Sequence, residues 1–233
     1  MSADDRAPTI KEELVPAWAG DVYFAVGLIA ATVFLGLDLF TGTMPGMAVL
    51  KALGIVMLAA YALFRGAPFV ALALGLSACG DFMLELGPEG LRLGIGFFAA
   101  AHVTYLAILI VRIIKGGWRR DGLVLAAALF AFGAAMWVWL RPGMGALETE
   151  ATGYLAIILI MAMAAGLAPG PRLIVAGALL FVVSDSILAA RWFQDAFIFP
   201  GALDWGGAMV WITYVAAQAC LARGLAEKPN AAA

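Results

Sequence analysis

Long apolar runs separated by short clusters of glycine, proline and charge dominate the chain. They occupy roughly 21–40, 46–64, 68–86, 93–114, 122–140, 151–167, 172–192 and 203–221. At 1.5 Å rise per helical residue, about 20 residues cross the hydrocarbon layer of a bilayer. The runs lack the alternation of a barrel strand, and a helix satisfies every backbone polar group within itself, as lipid requires. The pattern therefore predicts an all-α, polytopic membrane protein with eight transmembrane helices. Turn-forming clusters fall between the runs, among them Gly66-Ala67-Pro68, Gly87-Pro88, Arg141-Pro142-Gly143 and Pro169-Gly170-Pro171. One membrane domain, 21–221, is expected between an N-terminal tail, 1–20, and a C-terminal tail, 222–233. The first segment is acidic and has no basic stretch ahead of its apolar run, which reads as a retained helix rather than a signal peptide.

Composition sharpens this picture. Of 233 residues, 64% are hydrophobic and only 13% charged, which leaves no material for a separate aqueous domain. A net charge of −2 with scattered basic residues argues against nucleic acid as a partner. Alternating the eight runs across a membrane sorts the basic residues. Arg6, Lys11, Arg65, Arg112, Lys115, Arg119, Arg120, Arg172, Arg223 and Lys228 fall on the side of the termini, and Arg92, Arg141 and Arg191 on the other. The excess predicts cytoplasmic termini, with the protein integral to the plasma membrane, or the inner membrane in a bacterium. Cys79 and Cys220 fall at different depths and are not expected to pair.

An internal echo links the third and seventh runs. Gly80-Asp81-Phe82-Met83-Leu84 matches Ser184-Asp185-Ser186-Ile187-Leu188, and in the following runs His102-Val103-Thr104-Tyr105 matches Trp211-Ile212-Thr213-Tyr214. Runs three and seven cross in the same direction, so the echo predicts a parallel four-plus-four duplication rather than an inverted one.

The depth of the ionisable residues is the most informative feature. Counted from the cytoplasmic ends of their helices, Asp81, Asp185 and Lys51 all lie about 20 Å in, and His102, the sole histidine, close to that level. Asp38, Glu85 and Asp204 lie somewhat further out. Charge near the bilayer centre costs about 2.5 to 3.5 kcal/mol per residue, so such groups face one another or a wet cavity. Helical spacing supplies three inward stripes, Ser77/Asp81/Glu85, His102/Tyr105 and Asp204/Trp211/Tyr214/Gln218, expected to line one pocket. Trp137, Trp139, Trp192 and Trp205 read as interfacial belt residues. One histidine and two separated cysteines offer no zinc cage, and the nucleophile-elbow, phosphate-loop and haem-attachment motifs are absent from the sequence, so neither metal nor cofactor is expected. Carboxylate acid–base chemistry remains, with Asp81 and Asp185 as the candidate catalytic pair.

The Gly80-Asp81-x-x-Leu84 helix, its successor with His102 and Tyr105, the stretch from Gly177 to Asp185, and the final Tyr214-x-x-x-Gln218 resemble the YhhN-like lysoplasmalogenase family. The resemblance runs from about Lys51 to Gly224. It implies an eight-helix membrane hydrolase acting on a lysophospholipid substrate among membrane lipids, cleaving the vinyl ether bond of lysoplasmalogens to a fatty aldehyde and a glycerophospho-alcohol. Lys51, His102, Tyr105, Tyr214 and Gln218 then read as substrate-binding residues. The chain departs from the family pattern after Lys51, where Ala52 stands in place of proline. Two other readings are open to intramembrane Asp, Lys and His groups: a proton-coupled transporter of a lipid or small amphiphile, and a structural or partner-binding membrane protein.

Overall fold

The computed structural model describes residues 18–42, 44 and 46–226, and among these the secondary structure is helical with no strand. Eight α-helices follow one another among the described residues: α1 (Trp18–Thr41), α2 (Met47–Phe64), α3 (Pro68–Glu85), α4 (Leu91–Gly116), α5 (Gly122–Met144), α6 (Glu148–Leu167), α7 (Arg172–Gln194) and α8 (Trp205–Ala226). Single 3₁₀ turns at Gly87–Glu89 and Gly145–Leu147 link α3 to α4 and α5 to α6. Seven helical segments are long and apolar enough to cross a membrane, and one of them, Gly122–Leu167, contains both α5 and α6. Most of the expected tails, with Arg6, Lys11 and Lys228, lie outside the described residues.

The C-terminal ends of α5 and α8 extend furthest past the apolar runs. The α5 helix continues through Pro142, which near the C-terminus costs only one backbone hydrogen bond. Gly143 then lets α5 lie directly on α7, since a Cβ there would sit 1.7 Å from the Phe193 carbonyl oxygen. At the other end of the bundle α8 runs on to Ala226. Its last turns are held by burial of Ala222 and Leu225 and by Arg112, whose Nη2 donates to the Leu225 carbonyl at 2.9 Å.

Successive helices α1 to α4 pack as neighbours, as do α5 to α8, and α7 with α8 forms the most extensive pair. The halves meet where α4 lies on α6 and where α8 lies on α1, α2 and α3. Contact of α8 with α3 brings the last helix beside Asp81. Small residues permit the close crossings: a Cβ on Gly177 would stand 2.9 Å from the Ala217 carbonyl oxygen of α8, and one on Gly80 would meet the Phe98 ring of α4 at 2.7 Å. The Arg223 guanidinium lies over the Phe24 ring at 4.1 Å, so the start of α1 and the end of α8 share one end of the bundle.

Candidate active site

At the opposite end lies a cavity of about 370 Å³, lined by residues near that end of all eight helices. Asp81 and Asp185 both reach it. Asp81 is buried, and its Oδ2 accepts a hydrogen bond from Tyr214 Oη at 2.6 Å. Asp185 is half-buried, and its Oδ2 accepts from Tyr154 Oη on α6. Neither carboxylate makes a second hydrogen bond among the described residues. Each acid is thus aimed by one phenol on Oδ2 while its Oδ1 stays uncommitted.

Local packing fixes these pairs. Gly80, immediately before Asp81, admits the Phe98 ring against α3, and Phe98 in turn meets the Tyr214 ring edge-on at 5.7 Å. Phe181, one turn before Asp185, contacts Tyr214 at 5.4 Å and His102 at 4.5 Å between ring centroids. Beside Asp185, Ser184 Oγ donates to the Val210 carbonyl of α8 at 3.0 Å and ties the two helices together. A chain of edge-on ring contacts, Tyr214 to Phe181 to His102 to Tyr154, therefore links the phenol on one aspartate to the phenol on the other.

The residues expected to line the pocket divide into two sets. Asp81, Asp185, Lys51 and Tyr214 line the cavity, together with Asp38, Glu85, Asp204 and Trp211. His102, Tyr105 and Gln218 do not; they are fully buried behind it. His102 Nδ1 bonds its own helix at the Phe98 carbonyl, 2.7 Å away, which assigns the ring proton to Nδ1, and its ring packs on Tyr154. Tyr105 Oη donates to Gln218 Oε1 at 2.8 Å. Ser77, also expected on an inward stripe, lies off the cavity and donates to the Ala73 carbonyl of its own helix.

Lys51 pairs with Glu85, Nζ to Oε1 at 2.6 Å, rather than with either aspartate. Counted across the turn between α2 and α3, Lys51 is level with Asp81, and its flexible stem carries the ammonium one helical turn toward the mouth. There it lies 5.4 Å from the Phe34 ring centroid and 5.6 Å from that of Trp211, whose Nε1 is anchored to the Ala31 carbonyl at 2.9 Å. A second ion pair joins Arg191 and Asp204 at 2.8 Å. Arg191 also donates to the Phe197 carbonyl, and Asp204 Oδ1 accepts from the Gly207 amide, capping the first turn of α8. The wall formed by α1, α2 and the start of α8 is thus polar, whereas α5, α6 and much of α7 supply Met136, Leu140, Met144, Leu155, Ile158 and Leu188.

Tyr154 is the participant that the sequence reading missed. It sits in the shortest apolar run, outside the paired motifs of the internal echo, where Tyr105 is the counterpart of Tyr214. Its signal was available: it is the only tyrosine of that run, about 9 Å from the end that faces the cavity. Among the described residues no group of three or more His, Cys, Asp or Glu side chains is placed to share a metal ion.

Fold and site together define a multi-pass α-helical membrane protein that shelters two tyrosine-bound aspartates in a polar-to-apolar cavity. Sequence comparison places it more narrowly: the chain belongs to the YhhN family, whose profile matches residues 46–225. It is similar to the lysoplasmalogenase TMEM86B of Sus scrofa, 34% identical over 158 residues, covering 68% of this chain and 63% of the porcine one. Lysoplasmalogenases of Mycobacterium bovis and Mycobacterium tuberculosis are each 29% identical over 224 residues, 91% of this chain and 82% of theirs. The match to the porcine protein thus spans a little under two thirds of that protein's length. No solved structure matches significantly.

Proposed function

We propose that the chain is an ether hydrolase that cleaves the vinyl ether bond of lysoplasmalogens, with Asp81 and Asp185 as its acid–base pair. The observation carrying this reading is that the two aspartates, from α3 and α7, reach one cavity, each held by a single phenol. The similar proteins that bear the name lysoplasmalogenase supply the substrate class.

A vinyl ether is inert to nucleophiles but yields to acid. In the proposed reaction a protonated carboxyl gives its proton to the alkenyl carbon distal to the ether oxygen, leaving positive charge shared between oxygen and the proximal carbon. The other carboxylate stabilises that oxocarbenium ion and takes a proton from the water that adds to the proximal carbon. The hemiacetal then collapses: its hydroxyl proton leaves, the bond to the glycerol oxygen breaks, and that oxygen takes up a proton. One water is consumed, and the products are an aldehyde and an alcohol. Paired carboxylates handle a related charge distribution in glycoside hydrolysis.

The cavity's polarity orients the substrate in this scheme. The headgroup rests at the mouth, where Lys51 exchanges Glu85 for the substrate phosphate, and the alkenyl chain runs along the apolar wall of α5, α6 and α7. Tyr214 touches the substrate, and His102, Tyr105 and Gln218 act behind it by holding the two tyrosines. The scheme also places eight crossings in the membrane, both termini in the cytoplasm and the cavity mouth on the far side. A four-plus-four origin of the bundle makes the α2–α8 and α4–α6 contacts equivalent.

Purified Asp81→Asn and Asp185→Asn, each still eluting as folded protein, are expected to release no aldehyde from a lysoplasmalogen in detergent without any ion gradient. Full activity in either variant removes that residue from the mechanism. Substrate movement that occurs only in sealed vesicles under a proton gradient, without bond cleavage, would identify a carrier instead.

A further inference from the structure

Beside the main cavity is a second recess of about 370 Å³, lined by Gly87 and Pro88 of the α3–α4 turn, Leu91 at the start of α4, Leu147 before α6, and Trp192 and Phe193 near the end of α7. The last two residues also line the main cavity, so their side chains form a partition with one space on each side. We propose that this recess receives the distal end of the substrate's alkenyl chain, and that Trp192 and Phe193 are the residues that set chain-length preference. The inference rests on the hydrolase reading above.

Three observations point this way. The recess has no charged side chain in its lining, and Phe193, which it shares with the main cavity, packs against Leu140 and Met144 of the apolar wall. Trp192 lies seven residues beyond Asp185 on the same helix, about 10 Å at helical rise, a distance that an extended fatty chain exceeds. A chain with its vinyl ether at Asp185 therefore reaches the partition before it ends. Finally, the partition is anchored on one side and open on the other. Gly143 packs directly on the Phe193 carbonyl, Gln194 Nε2 donates to the Leu140 carbonyl at 3.3 Å and the Phe193 side chain packs on the Leu140, Met144 and Ala190 cluster, whereas Trp192 is exposed and meets the Phe193 ring edge-on, 6.5 Å between centroids. Trp192 is thus a wall of the chain site as well as an interfacial aromatic residue.

The test compares kcat/KM for a sixteen-carbon and an eight-carbon alkenyl lysophospholipid in full-length protein purified in detergent. The ratio of the two is taken within each preparation, so it does not depend on the fraction of protein that is folded. Leu147→Trp, which fills the recess, is expected to lower the long-to-short ratio about tenfold, in line with how strongly apolar pockets discriminate by size. Trp192→Ala, which joins the two spaces, is expected to raise it. A wild-type ratio in either variant, or a shift in the direction opposite to the one expected for that variant, overturns the chain site while leaving the hydrolase reading intact. Absence of hydrolysis of either substrate by the wild-type protein overturns the hydrolase reading itself.

Discussion

Each aspartate makes a single side-chain hydrogen bond, and this gives the tyrosines a measurable role. Hydrogen bonds to charged groups contribute about 1.5–3 kcal/mol, so Tyr214→Phe and Tyr154→Phe are each expected to lower the unfolding temperature measurably and, beyond that, to lower kcat/KM of the protein that remains folded by roughly ten- to a hundredfold. Aldehyde release and thermal unfolding in detergent check the two halves of that expectation, and a loss of fold equal to the loss of rate would assign the tyrosines a structural role only. Lys51→Met separates headgroup capture from chemistry. It is expected to raise KM while leaving kcat within a few-fold, because the methionine fills the space over Phe34 and Trp211 but carries no charge for a phosphate. Steady-state kinetics with a charged lysophospholipid decides it. At this scale the aspartates and Lys51 were legible from sequence, because charge in an apolar run is costly and must be met by something. Tyr154 carried only a weak signal, as the one tyrosine of its run, and a phenol there becomes notable only through its distant partner Asp185.

Among the elements, the crossing of α7 and α8 controls the site: α7 carries Asp185 and α8 carries Tyr214. Their approach depends on Gly177, whose missing side chain admits the Ala217 carbonyl. Gly177→Val is expected to push the helices apart, to destabilise the protein by about 1–3 kcal/mol as overpacking does elsewhere, and to lower activity. Thermal unfolding beside aldehyde release measures both effects, and unchanged stability would show that the crossing has slack. Helix positions themselves followed from the apolar runs, because length and hydropathy suffice to specify a lipid-spanning helix. The ends moved where packing intervened: α5 passes Pro142 because Gly143 seats it on Phe193, and α8 reaches Ala226 because Arg112 and buried apolar residues hold its last turn. Proline and charge read locally as stops, and contact between distant segments overrode them.

Across the whole molecule, the start of α1 and the end of α8 lie together, at the end away from the cavity. With the basic residues concentrated on that side, reporters fused to the N- and C-termini are expected to give the same, cytoplasmic, signal, with a reporter in the α7–α8 loop giving the opposite one. Opposite signals from the two termini would show an odd number of crossings. The helical fold, the apolar character and the segments that carry the charges were determined by the sequence alone, since each depends on counting along one segment in a medium that penalises exposed polar groups. Which groups share the cavity, that Lys51 turns to Glu85, and that His102, Tyr105 and Gln218 stand behind the wall rather than in it were decided only in three dimensions. Helical periodicity limits a side chain to a face and a height, and its neighbour is chosen by how the helices rotate and cross, which depends on glycines and rings far away in the chain.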